Sequence, residues 1–548
     1  LLGIEPLPAQ AARCYLAVEG EEGEIRIPAG TRFLAGEIPF ESEEEYMGTG
    51  NRFCSFISET DGSAMDLTAF AGADGEYARA FAHYFHDSSI LYLGFEKPLS
   101  DGDRLYICIK ADGRRNPFDE DFRLCSLRWQ FFGEAGWTAL DTEDGTCGFL
   151  KSGIVRVGRI SAMERFRHPE GMGEAYYIRC ILEEDAYDAL PGIGMIYVNP
   201  LEVVQQKTVC KEGEILPELQ IGRTDGCAGQ ELLFDYPDIC RFSLALETGE
   251  KHFDIWKYTE DLDQAGYRDQ VFTYDRDTQC VRFGDGIHGA VPPQNCLIHV
   301  TGLVCSMYEK GNVMAGSISV AADAGDSSCR VWNPEDAHGG KGRETVRQMA
   351  ARMEEELFHQ QRMASAEDYK SVILSTPGLM LETAHVIPGT VYGEITGKLR
   401  GANEVVVVVK PYSREKKAGL SDIYRARIET YMEPFRLLNT KVSIEEPAYV
   451  GITVHGKIHL VRDTPRDREK VIECLKDMID YERKEHPFGA TISGGKLFMR
   501  LEALDEVERV QELTLERTGS AAVKNERGDI LLREDALSYL EAADLGFY

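Results

Sequence analysis

Apolar positions fall in two regimes along the chain. Up to about Gly340 they come in short stretches separated by Gly- and Asp-rich turns, with few helical periods, the pattern of strands. Ser89-Ile-Leu-Tyr-Leu-Gly-Phe, the turn Ser100-Asp-Gly-Asp and then Arg104-Leu-Tyr-Ile-Cys-Ile read as strand, turn, strand. Trp129 and Trp137 flank a Gly-Glu-Ala-Gly turn, and Asp144-Gly-Thr supplies another. The stretch 60–205 is therefore expected to form a β-sandwich. Ahead of it, Glu24-Ile-Arg-Ile-Pro-Ala-Gly-Thr-Arg-Phe reads as an extended strand with a corner at Pro28 and Gly30. Further on, Val271-Phe-Thr-Tyr and Cys280-Val-Arg-Phe read as a hairpin joined through Asp275-Arg-Asp-Thr. Gly284-Asp-Gly then turns the chain sharply, and Pro292-Pro293 ends strand pairing.

Beyond Gly340 helical and strand periods alternate. Val346, Met349, Ala350, Met353 and Leu357 fall on one helical face. Ser365, with Asp368 three residues later, reads as a capping box for a second helix. That helix turns Tyr369, Val372 and Ile373 inward and stops at Thr376-Pro377-Gly378. The valines 405–409 form an unbroken apolar run, as in a strand covered on both faces. In the final lobe Val450, Ile452, Val454, Gly456, Ile458 and Leu460 alternate with Thr453, His455, Lys457 and His459. Thr464 caps a helix with Pro465 at its first position, and Val471, Ile472, Leu475, Met478 and Ile479 form its apolar stripe. Lobes at about 376–447 and 448–520 share a strand-and-helix plan.

The fold expected is a multidomain α+β protein, with a β-rich N-terminal half carrying an inserted β-sandwich and α/β lobes at the C-terminal end. Its parts are a β opening segment of a core platform (1–59), the inserted sandwich (60–205) and the rest of the β-rich platform with its FGDG hairpin (206–340). A helical linker (341–375), an α/β lobe (376–447) and a C-terminal α/β lobe with its tail (448–548) follow. At 548 residues the chain exceeds one hydrophobic core, and roughly 150 residues per domain gives three or four. Its 43% hydrophobic and 28% charged residues exclude a disordered or fibrous chain. No apolar run reaches the ~20 residues of a membrane-spanning helix. No signal-peptide pattern stands at the start, and Leu1 leads to the expectation that the sequence begins inside a longer one.

Sixty basic against 92 acidic side chains leave a net charge of −32, which repels phosphate backbones and argues against nucleic acid as a partner. The same charge fits partners with basic patches, or simply a solvated acidic surface. The 14 cysteines are scattered from Cys14 to Cys474 with no C-x-x-C pair, so they read as free thiols made in a reducing cytoplasm.

Several features imitate active sites. His455 and His459 share a strand face, but their α-carbons are ~13 Å apart, too far to grip one metal ion. His83 and His86 could share a helical turn, without a further ligand at zinc spacing. Gly339-Gly-Lys-Gly and Gly494-Gly-Lys fail as phosphate loops: Glu335 and Ala490 stand where a Gly is needed, and Gly342 and Leu497 where Ser or Thr is needed. Asp275 and Asp277 start like a calcium loop, but Cys280 takes the place of its glycine. There is no G-x-S-x-G elbow and no H-E-x-x-H helix. Carboxylates are abundant enough that a glycosidase-like pair stays open on sequence alone. No catalytic, metal or cofactor site is assigned.

Read together, these segments resemble the baseplate J-like family, the wedge proteins of contractile phage tails, tailocins and extracellular injection systems. Val281-Arg-Phe-Gly-Asp-Gly-Ile-His-Gly-Ala-Val-Pro-Pro, then Gly311-Asn-Val, is similar to the family's F-G-D-G-x-H-G-x-x-P-P hairpin and its continuation. The hairpin residues carrying the likeness are Phe283, Gly284, Asp285, Gly286, His288, Gly289, Pro292 and Pro293. Ile27-Pro-Ala-Gly-Thr-Arg-Phe resembles the family's first platform strand. Leu91-Tyr-Leu-Gly-Phe and Trp137 through Asp144-Gly-Thr resemble its inserted β-domain. Arg362-Met-Ala-Ser-Ala-Glu-Asp-Tyr with Thr376-Pro-Gly resembles its helical linker, and Pro487-Phe-Gly with the stretch 501–510 its last lobe. The segments are individually weak but occur in the family's order along nearly the whole chain. Glu309-Lys-Gly is less Gly-rich than the family's loop there, and no counterpart of the family's N-terminal helical segment is read in the given sequence.

The resemblance implies a scaffold rather than an enzyme, with no cofactor. Its expected partners are a second baseplate wedge protein, further copies of itself, and hub and sheath-proximal baseplate proteins, with no nucleic acid and no membrane insertion. Assembly in the bacterial cytoplasm and residence in the baseplate of the particle follow. Ring contacts are expected on the C-terminal lobes, with Lys457 and His459 in that interface, and wedge packing on the helices near 343–375. The sandwich is expected to project outward. The alternative is a carbohydrate- or receptor-binding tail protein, with Tyr92, Trp129 and Trp137 stacking on sugar. A tail-associated glycoside hydrolase is a third reading.

Overall fold

The computed structural model describes residues 6–20, 25–71, 77–81, 89–170, 172–250, 252–276, 278–320, 329–358, 362–389, 403–413, 417–483 and 487–548. The platform is organised by the strand Arg13–Gly20. Its first half pairs antiparallel with Leu201–Val204 and its second half with Cys329–Trp332. Arg32–Ala35, Ile38–Ser42 and Ser319–Val320 complete a six-stranded sheet over Phe33, Phe40, Leu16 and Val203. The chain thus leaves this sheet twice, and each excursion is a domain.

The first excursion is a β-sandwich, as its turn-bounded strands require, and it takes its first strand from Phe53–Thr60. A seven-stranded and a five-stranded sheet face each other. Period-two alternation sets the packing: along Ser89–Phe95, Leu91, Leu93 and Phe95 enter the inner core, while Tyr92 lies on the outer face. Trp129, Phe131 and Ile178 meet Leu105, Ile107, Val155 and Ile196 in that core. A short helix, α1 (Thr68–Ala71), joins two of the strands. The second excursion is an eight-stranded sheet, antiparallel except where His252–Tyr258 runs parallel to Val271–Asp275. Trp256, Phe242, Phe272 and Phe283 fill it.

Past the platform come α2 (Val346–Phe358) and α3 (Ala366–Leu374). The Ser365–Asp368 capping box forms, and Tyr369, Val372 and Ile373 are buried. In the next lobe Glu404–Pro411 lies between Leu381–Pro388, antiparallel, and Lys441–Glu445, parallel, with α4 (Asp422–Met432) crossing over. Val407 and Val409 bury against Ile373, Tyr424 and Ile428. Val406 and Val408 face the opposite side with Ile387 and Phe488, so both faces of the valine run are covered. In the last lobe Ala448–Leu460 lies between Val507–Arg517, antiparallel, and Ala536–Phe547, parallel. Helices α5 (Pro465–Ile479) and α6 (Gly494–Glu502) cover one face through Val471, Leu475, Leu497 and Leu501. Both lobes set a central strand between one antiparallel and one parallel neighbour. The central strand is the second strand of one lobe and the first of the other, which explains why no sequence repeat accompanies the likeness.

The sandwich packs against the helices and the first lobe. Phe122, Leu124, Cys147 and Leu150 bury in the same cluster as Met363, Tyr369, Leu379 and Tyr424. The loop 118–122 is strongly charged, but its two aromatic residues, Phe118 and Phe122, leave water and close on the helices. The two lobes also meet. His385 stacks on Phe488 at 5.1 Å, and the Lys410 ammonium, 4.9 Å from the centre of the Tyr481 ring, pairs with Glu382.

Candidate interaction surfaces

The hairpin motif folds as one compact loop. Phe272 faces Phe283 across the hairpin, and Phe283 is buried against the edge of Trp256, ring centres 5.2 Å apart. Gly284 packs so close to Gly289 that a side chain would run into its backbone. Gly286 and Gly289 sit at φ 90° and 81°, the left-handed region that favours glycine. The Gly286 N–H donates to the Gly289 carbonyl at 3.0 Å. The Asp285 carboxylate accepts the N–H groups of His288 (2.7 Å) and Ile287 (2.8 Å), which hold its carboxyl below the usual range. The His288 ring stands 3.6 Å from the same carboxylate. Pro292 is buried and Pro293 exposed, its carbonyl accepting the Thr224 hydroxyl. The motif's polar groups are thus spent on holding the backbone, and Ile287 at the tip is left 70% exposed. Asp277 lies outside the described residues; Asp275 accepts the Thr278 hydroxyl at 2.7 Å, as a turn residue does.

Lys457 and His459 lie on the face of the C-terminal sheet turned away from α5 and α6, as the alternation expects. Lys457 pairs with Glu512 on the neighbouring strand at 3.0 Å, which raises its pKa. His459 stands 3.5 Å from Gln511, its ring 5.6 Å from that of Tyr548. His455 lies between Glu516 (3.4 Å) and Asp544 (3.2 Å), one on each flanking strand. The two histidines do not converge, and among the described residues no three His, Cys, Asp or Glu side chains form a metal site. His83 and His86 lie outside the described residues.

The aromatics of the sandwich are packed rather than presented. Trp129 is in the inner core and Tyr92 is buried on the outer face, its hydroxyl donating to Glu59 at 2.8 Å. Trp137 is wedged against Phe132 and Phe166, with the Arg179 guanidinium 4.2 Å from its ring centre. Between the sandwich and the first lobe lies a cleft of about 1120 Å³. Its floor is an Arg115–Asp188 pair (2.6 Å), both members nearly buried, to which the Tyr424 hydroxyl also donates. Burial and the Asp188 charge push the Tyr424 phenol well above its ordinary value. Arg114 stacks 4.0 Å over Tyr412 across the cleft. These cations are engaged with residues of the chain itself. None of the 14 thiols forms a disulfide; burial pushes Cys14 and Cys125 up to about 12, while Cys54 and Cys227 are exposed.

Sequence patterns could not have found the Arg115–Asp188–Tyr424 junction, because its members come from distant parts of the chain. The exposure of α2 was equally hidden. None of its residues 346–354 is buried, although the periodicity gives it an apolar face.

No family model matches the chain, and no curated protein matches it. One solved structure, described as the cryo-EM structure of the anti-feeding prophage (AFP) baseplate, 6-fold symmetrised, aligns over 100% of this chain and 78% of its own. The TM-score is 0.41 and the sequence identity 12%, a likeness that decides neither fold nor role. No helix among the described residues is long and apolar enough to cross a membrane.

Proposed function

We propose that the chain is a structural subunit of the baseplate of a contractile tail or injection particle, specifically a wedge protein of the baseplate J-like kind. The observation that carries this reading is the colinear run of family-like segments from Ile27 to Val510, with the F-G-D-G-x-H-G stretch folded as a rigid loop. Its neighbours are a second wedge protein, further copies of itself, and hub and sheath-proximal proteins. The chain is assembled in the bacterial cytoplasm and carried in the particle's baseplate. Copies close into a ring around hub and tube, and the ring couples baseplate rearrangement to sheath contraction.

The C-terminal sheet face with Lys457 and His459 is assigned to ring contacts, and α2 with α3 to packing within a wedge. Shared cores and contacts between the modules, Tyr424 on Asp188 and His385 on Phe488 among them, support a scaffold that transmits force. The domain division is part of this proposal, with the sandwich taking Phe53–Thr60 as its first strand and the platform resuming at Leu201–Val204. A sugar-binding role for the sandwich has less support, because Trp137 and Tyr92 are covered by their own neighbours.

Electron microscopy of the native particle tests the proposal. The chain should occupy repeated positions around the central tube, at the baseplate end. A free monomer that turns over a substrate outside any tail-like particle would overturn it.

A further inference from the structure

Helix α2 is amphipathic in sequence, and none of its described side chains, 346–354, is buried. Val346 is 73% exposed, Ala350 is exposed, and Met349 and Met353 are only half-buried. The helix is nevertheless firmly built. The Thr345 hydroxyl accepts the Gln348 N–H at 3.2 Å, and the Gln348 side chain accepts the Thr345 N–H at 2.9 Å, a reciprocal cap. Glu344 pairs with Arg352 at 2.8 Å and accepts the Leu7 N–H at 2.9 Å, while its own N–H donates to the Leu7 carbonyl at 3.0 Å. The first turn is thereby fixed to the platform, and the apolar stripe is held out from it.

The charge order along α2 names its occupant. Arg343 and Arg347 stand at the N-terminal end, and Glu354, Glu355 and Glu356 at the C-terminal end; Glu344 and Arg352, which run against this order, neutralise each other as a pair. The first turn holds no acidic residue and the last no basic one. This order opposes the helix dipole, which favours acids at the start and bases at the end. For an isolated helix it is unfavourable. For a helix facing an antiparallel copy of itself it is favourable, because each basic end then lies beside an acidic end. Arg347 and Glu354 are one heptad apart and so share a flank of the stripe. Like flanks face each other in an antiparallel pair. A parallel copy would set basic end against basic end.

We propose that α2 is a self-docking helix, by which two copies of this chain pair antiparallel across a two-fold axis. This deepens the wedge reading, on which it rests for its setting, by naming a second copy as what covers the stripe. An isologous contact of this kind needs only one patch. Thirteen residues span about 20 Å, so the buried area falls below the ~1,200 Å² of a stable interface. The pair is weak alone and gains strength where copies are held close together.

Sedimentation of the full chain at roughly 10–200 µM tests it, a range in which weak association of this size becomes visible. The wild type should show concentration-dependent dimerisation. Arg347→Glu and Glu354→Arg, both at exposed positions, should each leave a folded monomer. An equimolar mixture of the two variants should dimerise again, because each then offers what the other lacks. A wild type that stays monomeric, single variants that dimerise normally, or a mixture no better than its components would each overturn the pairing. Native particles lacking the chain would sink the baseplate reading and leave these results standing.

Discussion

Phe122 lies directly beneath Gly378: a methyl built on Gly378 would sit 2.6 Å from the Phe122 ring, and Gly378 holds φ +86°. The sandwich loop and the turn after α3 therefore meet at a point where only a glycine fits. Gly378→Ala combines left-handed strain with overpacking and should destabilise the protein by about 2–4 kcal/mol. Urea unfolding should show the loss in the transition that reports on the sandwich and first lobe together.

Asp188 accepts from Arg115 and from Tyr424 in a nearly solvent-free floor. Asp188→Ala leaves a buried guanidinium without its counter-charge, at a cost of about 3–5 kcal/mol. Tyr424→Phe removes a neutral donor from a charged acceptor and should cost less, about 1.5–3 kcal/mol. Equal losses in denaturant titrations of the two variants would contradict the ion-pair account.

Burial against Phe488 lowers the pKa of His385 from 6.5, with Asp535 opposing and Lys370 reinforcing the shift. The unfolded chain then binds the proton more readily than the folded one. Stability should therefore fall as pH drops below 6.5 and level off below the depressed folded value. Hydrogen exchange around 385 and 488 between neutral and mildly acidic pH should show the junction loosening. His385→Phe should flatten that dependence.

Gly284→Ala puts a methyl into the Gly289 backbone and should cost more than about 3 kcal/mol, because neither strand of the turn can retreat. Asp285→Ala frees the N–H groups of Ile287 and His288 to water and should raise proteolysis at the loop while the sheet beneath stays folded. Limited digestion with mass spectrometry separates the two outcomes.

Lys457→Glu with His459→Glu changes only the open sheet face. The monomer should keep its melting temperature within a degree or so, since exposed pairs such as Lys457–Glu512 contribute little. Ring assembly with the other baseplate proteins should fail. Intact rings by electron microscopy would move the ring interface elsewhere.

Much of the fold was legible because local chemistry forces it. The Ser365–Asp368 and Thr464–Pro465 starts, the valine run 405–409 and the alternation from Val450 to Leu460 each depend on neighbours a few residues away. The FGDG turn was legible for the same reason, since its glycines and Asp285 serve the loop's own backbone. What escaped was long-range. Nothing near Phe122 announces Gly378, and nothing near Arg115 announces Tyr424. The periodicity of α2 defines a face without saying whether this chain or another covers it. The surface roles of Lys457 and His459 likewise depend on what lies beyond the chain.

The strand Arg13–Gly20 has a consequence for biogenesis. It is translated ahead of both excursions, but one of its two partners, Cys329–Trp332, emerges only after both have been made. The sandwich and the eight-stranded sheet can each condense on the nascent chain, whereas the six-stranded sheet stays open-edged until ribosomal synthesis has passed Trp332. The junction that holds the modules together is in this way a late checkpoint, and a prematurely terminated product would expose that edge to aggregation and proteolytic clearance.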